Sequence, residues 1–137
     1  MTRVVFVDTL FLVALIDTSD SRSEQASALL RQLYGNHVRF TTTDAILLEL
    51  ANHFSRGPLR AEAIYWIGRI RHNKDWRVVP LDRDLLASGE ARYRKYSDKS
   101  WSLTDCISME VMRQSRIREV ASSDRHFTQA GFRVLLK

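Results

Sequence analysis

Val4-Val5-Phe6-Val7, stopped by Asp8, is an unbroken run of β-branched and aromatic side chains with no polar alternation. Such a run marks a strand covered on both faces, as in a parallel sheet with helices above and below it. The segments downstream keep to that plan. Leu10 to Ile16 and Ser23 to Leu33 read as helices, the second amphipathic and closed by the stop signal Gly35-Asn36. Val38 to Thr43 is a second strand, followed by a helix over Asp44 to Ser55 that Gly57-Pro58 ends, and by another over Leu59 to Ile70. A third strand over Arg77 to Pro80 leads to helices over Asp82 to Tyr96 and Ser102 to Ser115, separated by the polar loop Ser97 to Ser100. Glu119 to Ser122 is a fourth strand, Arg125 to Ala130 a short helix, and Phe132 to Leu136, after Gly131, a last strand. Alternating strands and helices predict one α/β domain over residues 1–137, a sandwich around a mostly parallel sheet of four or five strands.

Composition agrees with a single packed core. The 137 residues are 45% hydrophobic with only 5 Gly and 2 Pro, which excludes collagen-like and low-complexity classes. Cys106 is the only cysteine, so an internal disulfide and a cysteine-built zinc site are both excluded, and a reducing cytoplasm is expected. The apolar stretch from Val4 to Ile16 is broken by Asp8 and falls short of the roughly 20 residues that span a bilayer, so no membrane anchor is expected. The net charge of +5 favours anionic partners. Of the 21 cations 17 are Arg, whose planar fork suits bidentate phosphate contacts.

On this basic chain several acids stand where the scaffold delivers them to one place. Sites in open α/β sheets form at the carboxyl ends of the strands. Asp8 directly follows the first strand, and Asp124 follows the strand ending at Ser122 by one residue. Asp105 lies in the first turn of the helix from Ser102, and Glu49 lies one turn into the helix after the second strand. Structural duties compete for three of them: Asp8 and Asp124 suit helix caps, and Ser102-x-x-Asp105 is a capping-box pattern. Glu49 falls about 60° from Ile46 on a helical wheel whose apolar face is Ile46, Leu47, Leu50, Ala51 and Phe54, so it is expected half-buried. Two like charges about 4 Å apart repel by about 4 kcal/mol at an effective dielectric near 20. Protons or a hard cation must therefore offset a cluster of four. Oxygen-only ligands point to Mg²⁺ or Mn²⁺ over zinc, and such a site suits phosphodiester hydrolysis.

The segments Val5-Phe6-Val7-Asp8-Thr9, Thr43-Asp44-Ala45-Ile46-Leu47-Leu48-Glu49, Ser102-Leu103-Thr104-Asp105 and Ala121-Ser122-Ser123-Asp124-Arg125-His126-Phe127, with Gly131-Phe132, resemble the PIN-domain ribonucleases. More narrowly, the chain is similar to VapC-type toxins of bacterial toxin–antitoxin pairs, along essentially its whole length. The resemblance implies a PIN-like three-layer α/β/α sandwich and Mg²⁺- or Mn²⁺-dependent cleavage of RNA. It further implies a homodimer, a small neutralising antitoxin as partner, and Asp8, Glu49, Asp105 and Asp124 as the catalytic acids and metal ligands. Thr9 and Ser122 supply hydroxyls beside them. The chain departs from the family at Leu10, where Ser or Asn is common.

Two basic stretches are candidate RNA surfaces. Arg56 to Arg77 holds six cations against two acids with Tyr65, Trp66 and Trp76 interleaved, the composition of a single-strand surface or of a solvated helix face over a core. Arg92, Arg94, Lys95 and Lys99, with Tyr93, Tyr96 and Trp101, precede the helix of Asp105 and are the better placed to hold RNA. His53 and His126 read as structural, and Cys106 has no histidine in reach to activate it. Other classes fit less well. A haloacid-dehalogenase-type phosphatase needs a second Asp at position 10, which is Leu, and a receiver domain needs a late Lys where only Lys137 exists. A non-catalytic or RNA-processing module on the same fold is the remaining alternative.

Overall fold

The computed structural model describes residues 2–137. Five strands, β1 (Val4–Val7), β2 (Arg39–Thr43), β3 (Trp76–Val79), β4 (Glu119–Ala121) and β5 (Arg133–Val134), form one sheet in the order β3-β2-β1-β4-β5. All four pairings are parallel, so every strand ends at the same rim. β1 is central, and Val5, Phe6 and Val7 are fully buried, as an unbroken apolar run requires.

Seven helices connect the strands: α1 (Thr9–Ile16), α2 (Ser23–Gly35), α3 (Asp44–His53), α4 (Arg60–His72), α5 (Arg83–Lys95), α6 (Leu103–Gln114) and α7 (Arg125–Gln129). α1 packs on α2 and α3, and α3 on α4, while α5 packs on α6 and α6 on α7. The chain steps outward from β1 to β3 and then returns to β4 and β5, so right-handed crossovers place these two groups on opposite faces. The result is the expected α/β/α sandwich. α1 is apolar all round and buried at every position but Leu10, so it belongs to the core. Tight helix packing has one conspicuous device: an added Cβ on Gly89 of α5 would lie 2.5 Å from Ile107 Cγ1 of α6.

Boundaries differ from the predicted ones by small amounts with identifiable causes. α1 begins at Thr9, directly after Asp8, and β3 begins at Trp76, whose ring stacks 4.8 Å from Phe40. The last strand shrinks from Phe132–Leu136 to Arg133–Val134 because it is an edge with a partner on one side only, yet the Leu135 and Leu136 N–H groups still donate to Val120 and Ser122. No helix among the described residues is long and apolar enough to cross a membrane.

Candidate functional site

The connection direction reverses between the neighbouring strands β1 and β4, which makes their carboxyl ends the crevice of this sheet. Asp8 leaves β1 there, with its backbone N–H donating to the Ala121 carbonyl of β4 at 3.3 Å. From Asp8 a continuous hydrogen-bonded chain, through side chains and backbone N–H groups, runs along the rim. The Ser122 hydroxyl donates to Asp8 Oδ2 at 2.8 Å and accepts the Asp124 backbone N–H at 3.0 Å. Asp124 Oδ1 caps α7 by accepting the His126 N–H at 2.9 Å, and His126 Nδ1 stands 3.4 Å from that oxygen and 2.9 Å from Asp105 Oδ2. Asp105 closes the chain from the other side: its Oδ2 also accepts the Ser102 N–H, while Ser102 Oγ caps α6 through the Asp105 N–H, each at 3.0 Å.

Capping and clustering therefore coexist. The capping-box pattern does fix the start of α6, and Asp124 does cap α7, but both carboxylates meet His126 between the two helix ends. Asp8 differs, since it makes no capping hydrogen bond to α1 and spends its side chain on Ser122. Its carboxyl is pushed up to about 7, mainly by burial and further by the charges of Asp105 and Asp124, against donation from Ser122. No Arg or Lys among the described residues contributes to that balance, and a bound cation would favour the ionised form.

The donors present fit one. Asp105 and Asp124 are each held through a single oxygen, which leaves the other for a ligand. Ligand atoms of Asp105, Asp124 and His126 all lie within 4.8 Å of one another. Thr9 Oγ1, next in the chain to Asp8, is buried with no hydrogen-bond partner among the described residues. The carboxylate oxygens are donors that small hard divalent cations select, while His126 adds an imidazole nitrogen that the oxygen-only expectation does not include, and Asp8 and Glu49 lie outside this cluster.

Glu49 requires a correction. It is exposed, not half-buried, beside Leu48, which is also exposed. A wheel gives angle alone, whereas burial depends on the neighbours, and α1, α4 and α6 cover only the Ala45, Ile46, Leu47 and Leu50 side of α3. Glu49 takes no part in the bonded chain. His126, read as structural, does take part. Its position one residue inside a helix capped by Asp124 was the available signal, because that geometry turns the ring back toward the cap.

The basic run splits in two. Arg92 donates to the buried Glu110 at 2.7 Å, Arg113 NH2 reaches the same carboxylate at 3.0 Å, and Lys95 lies 5.5 Å over the Tyr96 ring on that side. Burial alone would raise the Glu110 carboxyl, but the hydrogen bonds from Arg113 and Arg92 outweigh it and hold it below its ordinary value. Arg92 is thus a structural partner, while Arg94 and Lys99 remain exposed. The other stretch, Arg56 to Arg77, reaches the sheet at Trp76, the amino end of β3, on the rim opposite Asp8. Trp76 is core there, donating to Tyr34 Oη at 2.8 Å.

With that geometry in place, comparison with known proteins is informative. No curated protein sequence is significantly similar to this one. Among solved structures, VapC20 of Mycobacterium tuberculosis, a Sarcin-Ricin loop cleaving toxin, superposes with a TM-score of 0.83 at 25% identity, covering 97% of this chain and 99% of that one. VapBC2 of Rickettsia felis, bound to a DNA fragment from its promoter, matches at TM-score 0.71 and 9% identity, over 96% of this chain and 97% of that one. FitAcB of Neisseria gonorrhoeae matches at 0.64 and 16%, over 96% of each chain. The last two establish likeness of fold. The sequence itself matches the PIN domain model over residues 5–133, nearly its full length and every segment of the rim site, and the chain therefore belongs to the PIN-domain family.

Proposed function

We propose that this chain is a metal-dependent endoribonuclease that hydrolyses RNA phosphodiester bonds and serves as the toxin of a toxin–antitoxin pair. The observation that carries this reading is the bonded chain from Asp8 through Ser122, Asp124 and His126 to Asp105, three acids at the crevice with which no Arg or Lys among the described residues forms an ion pair. Mg²⁺ or Mn²⁺, held by Asp8, Asp105 and Asp124 and, as the family resemblance implies, Glu49, would supply an activated water and offset charge on the scissile phosphate. Ser122 orients Asp8, and His126 orients Asp105. Cys106 does not suit a covalent intermediate, since it is buried and its thiol is raised by that burial.

Likeness to VapC20, a toxin that cleaves the Sarcin-Ricin loop, favours the toxin role, and the VapBC2 and FitAcB assemblies favour a small antitoxin partner. A homodimer completes the proposal. Purified protein is expected to cleave RNA with Mg²⁺ or Mn²⁺, to stop in chelator, and to be inactive as Asp8→Asn or Asp105→Ala. Cleavage that survives both substitutions would sink the metal-site assignment. Expression of the wild type is expected to arrest growth and Asp8→Asn to relieve the arrest; harmless wild-type expression would instead favour RNA processing.

A further inference from the structure

The segment that leads into Asp105 also walls a groove beside it. Between the end of α5 and the start of α6 opens a groove of about 530 Å³ lined by Tyr93, Arg94, Ser97, Lys99, Trp101 and Ser102. That volume falls within the roughly 300–1,000 Å³ of small-ligand sites. We infer that this groove is a subsite for one unpaired nucleotide of the RNA strand next to the scissile phosphate, with Tyr93 against the base and Arg94 and Lys99 on the backbone. It rests on the endoribonuclease reading.

Three observations carry it. The first is composition, since the groove combines two cations, hydroxyl donors and Tyr93, a residue that is 53% exposed, which together meet a phosphate, a ribose and a base face. The second is continuity with the acidic site. Ser102 closes the groove and is the residue whose N–H and hydroxyl bracket Asp105. Trp101, buried behind it, donates from Nε1 to Gln129 Oε1 at 2.9 Å, tying this wall to the helix that Asp124 caps. The third is the helical split of the basic run. Arg92 and Lys95 face Glu110 and Tyr96, whereas Tyr93 and Arg94 face the groove, where Arg94 joins no ion pair among the described residues. Lys99 has only the exposed Asp98, at 3.8 Å, a contact that a phosphate readily replaces.

The test measures anisotropy of a fluorescein-labelled single-stranded RNA, with its duplex as comparison, binding to full-length Asp8→Asn protein in Mg²⁺ over a range of salt. Tyr93→Ala is expected to weaken single-strand binding about tenfold without changing its salt dependence, as loss of a stack should. Arg94→Ala and Lys99→Ala should each lower the slope of log K against log salt by about 0.7, one phosphate contact apiece. Lys95→Ala, a cation of the same run on the other face, should leave affinity and slope unchanged. All four positions are exposed, and thermal melts confirm that the variants fold. Equal effects from Lys95→Ala and Arg94→Ala, or a silent Tyr93→Ala, would overturn the subsite in favour of diffuse charge attraction. Cleavage by the wild type, followed in parallel, separates the two ideas. A nuclease indifferent to Tyr93, Arg94 and Lys99 refutes the subsite alone, whereas Tyr93-dependent binding without cleavage refutes the nuclease and keeps the subsite.

Discussion

Two carboxylates in this chain are almost equally buried and end in opposite states. Asp8 is 5% exposed and Glu110 is 7% exposed. Glu110 has two guanidinium groups bonded to it and stays ionised below its usual range. Asp8 has one hydroxyl and two further acids for neighbours, and its carboxyl rises to about 7. Burial raises both carboxyls, Asp8 the more strongly, and only Glu110 has partners that reverse it. The partners set the sign: Glu110 is neutralised within the fold by Arg92 and Arg113, whereas Asp8, which the proposed function reserves for chemistry, has no cationic partner among the described residues.

Removing Glu110 gives the largest expected loss of stability. Glu110→Ala strands the Arg92 guanidinium, whose side chain is only 14% exposed, while Arg113, at 59%, turns to water. The expected cost is about 3 kcal/mol, at the lower end for breaking a buried pair, read as a fall in urea midpoint. RNA cleavage well below the melting temperature should persist. A loss under about 1 kcal/mol would mean that the two carboxylates do not differ as described.

Removing the charge of Asp8 should act in the opposite direction. The folded carboxyl titrates near 7 and the unfolded one near 3.8, so between those values the folded state binds more protons. Stability without metal is then complete below about 4 and lost as pH rises through 7. In chelator at pH 8, Asp8→Asn is expected to be more stable than wild type by about 2 kcal/mol, with a flatter stability profile over that range, while losing cleavage. Adding Mg²⁺ should raise the wild-type melting temperature and leave that of Asp8→Asn nearly unchanged. Equal pH profiles for the two proteins would show that Asp8 is already neutralised.

The contrast also marks how far the sequence could be read. β1, the acids that end β1 and β4, and the Ser102–Asp105 capping box were legible because each depends on neighbours within a few residues. Arg92 was read as an RNA contact because its partner lies 18 residues away, across the packed pair α5 and α6, which local pattern does not register. His126 was missed for the same reason, its bond to Asp105 spanning 21 residues between two helix starts. Glu49 failed differently: its angle on the wheel was sound, but exposure is set by what covers a helix, and nothing covers that edge of α3. Local signals found the acids, and three-dimensional proximity decided which of them lack a counter-charge.

The smallest effect tests the link that distinguishes Asp8 most closely from Glu110. Ser122 is fully buried and holds two bonds at once, donating to Asp8 and accepting from the Asp124 N–H. Ser122→Ala removes a single oxygen and leaves little cavity. Loss of the acceptor for Asp124 costs stability at any pH, whereas loss of the donor matters only when Asp8 is ionised. The expected destabilisation in chelator is about 1 kcal/mol at pH 8 and less at pH 5, where Asp8 is protonated and does not depend on a donor. Cleavage should fall about 10–100-fold, the range for a residue that orients a metal ligand, with most of the loss recovered at higher Mg²⁺. Destabilisation equal at both pH values would mean that Ser122 serves the turn into α7 alone, and that Asp8 is oriented by burial without help from its neighbour.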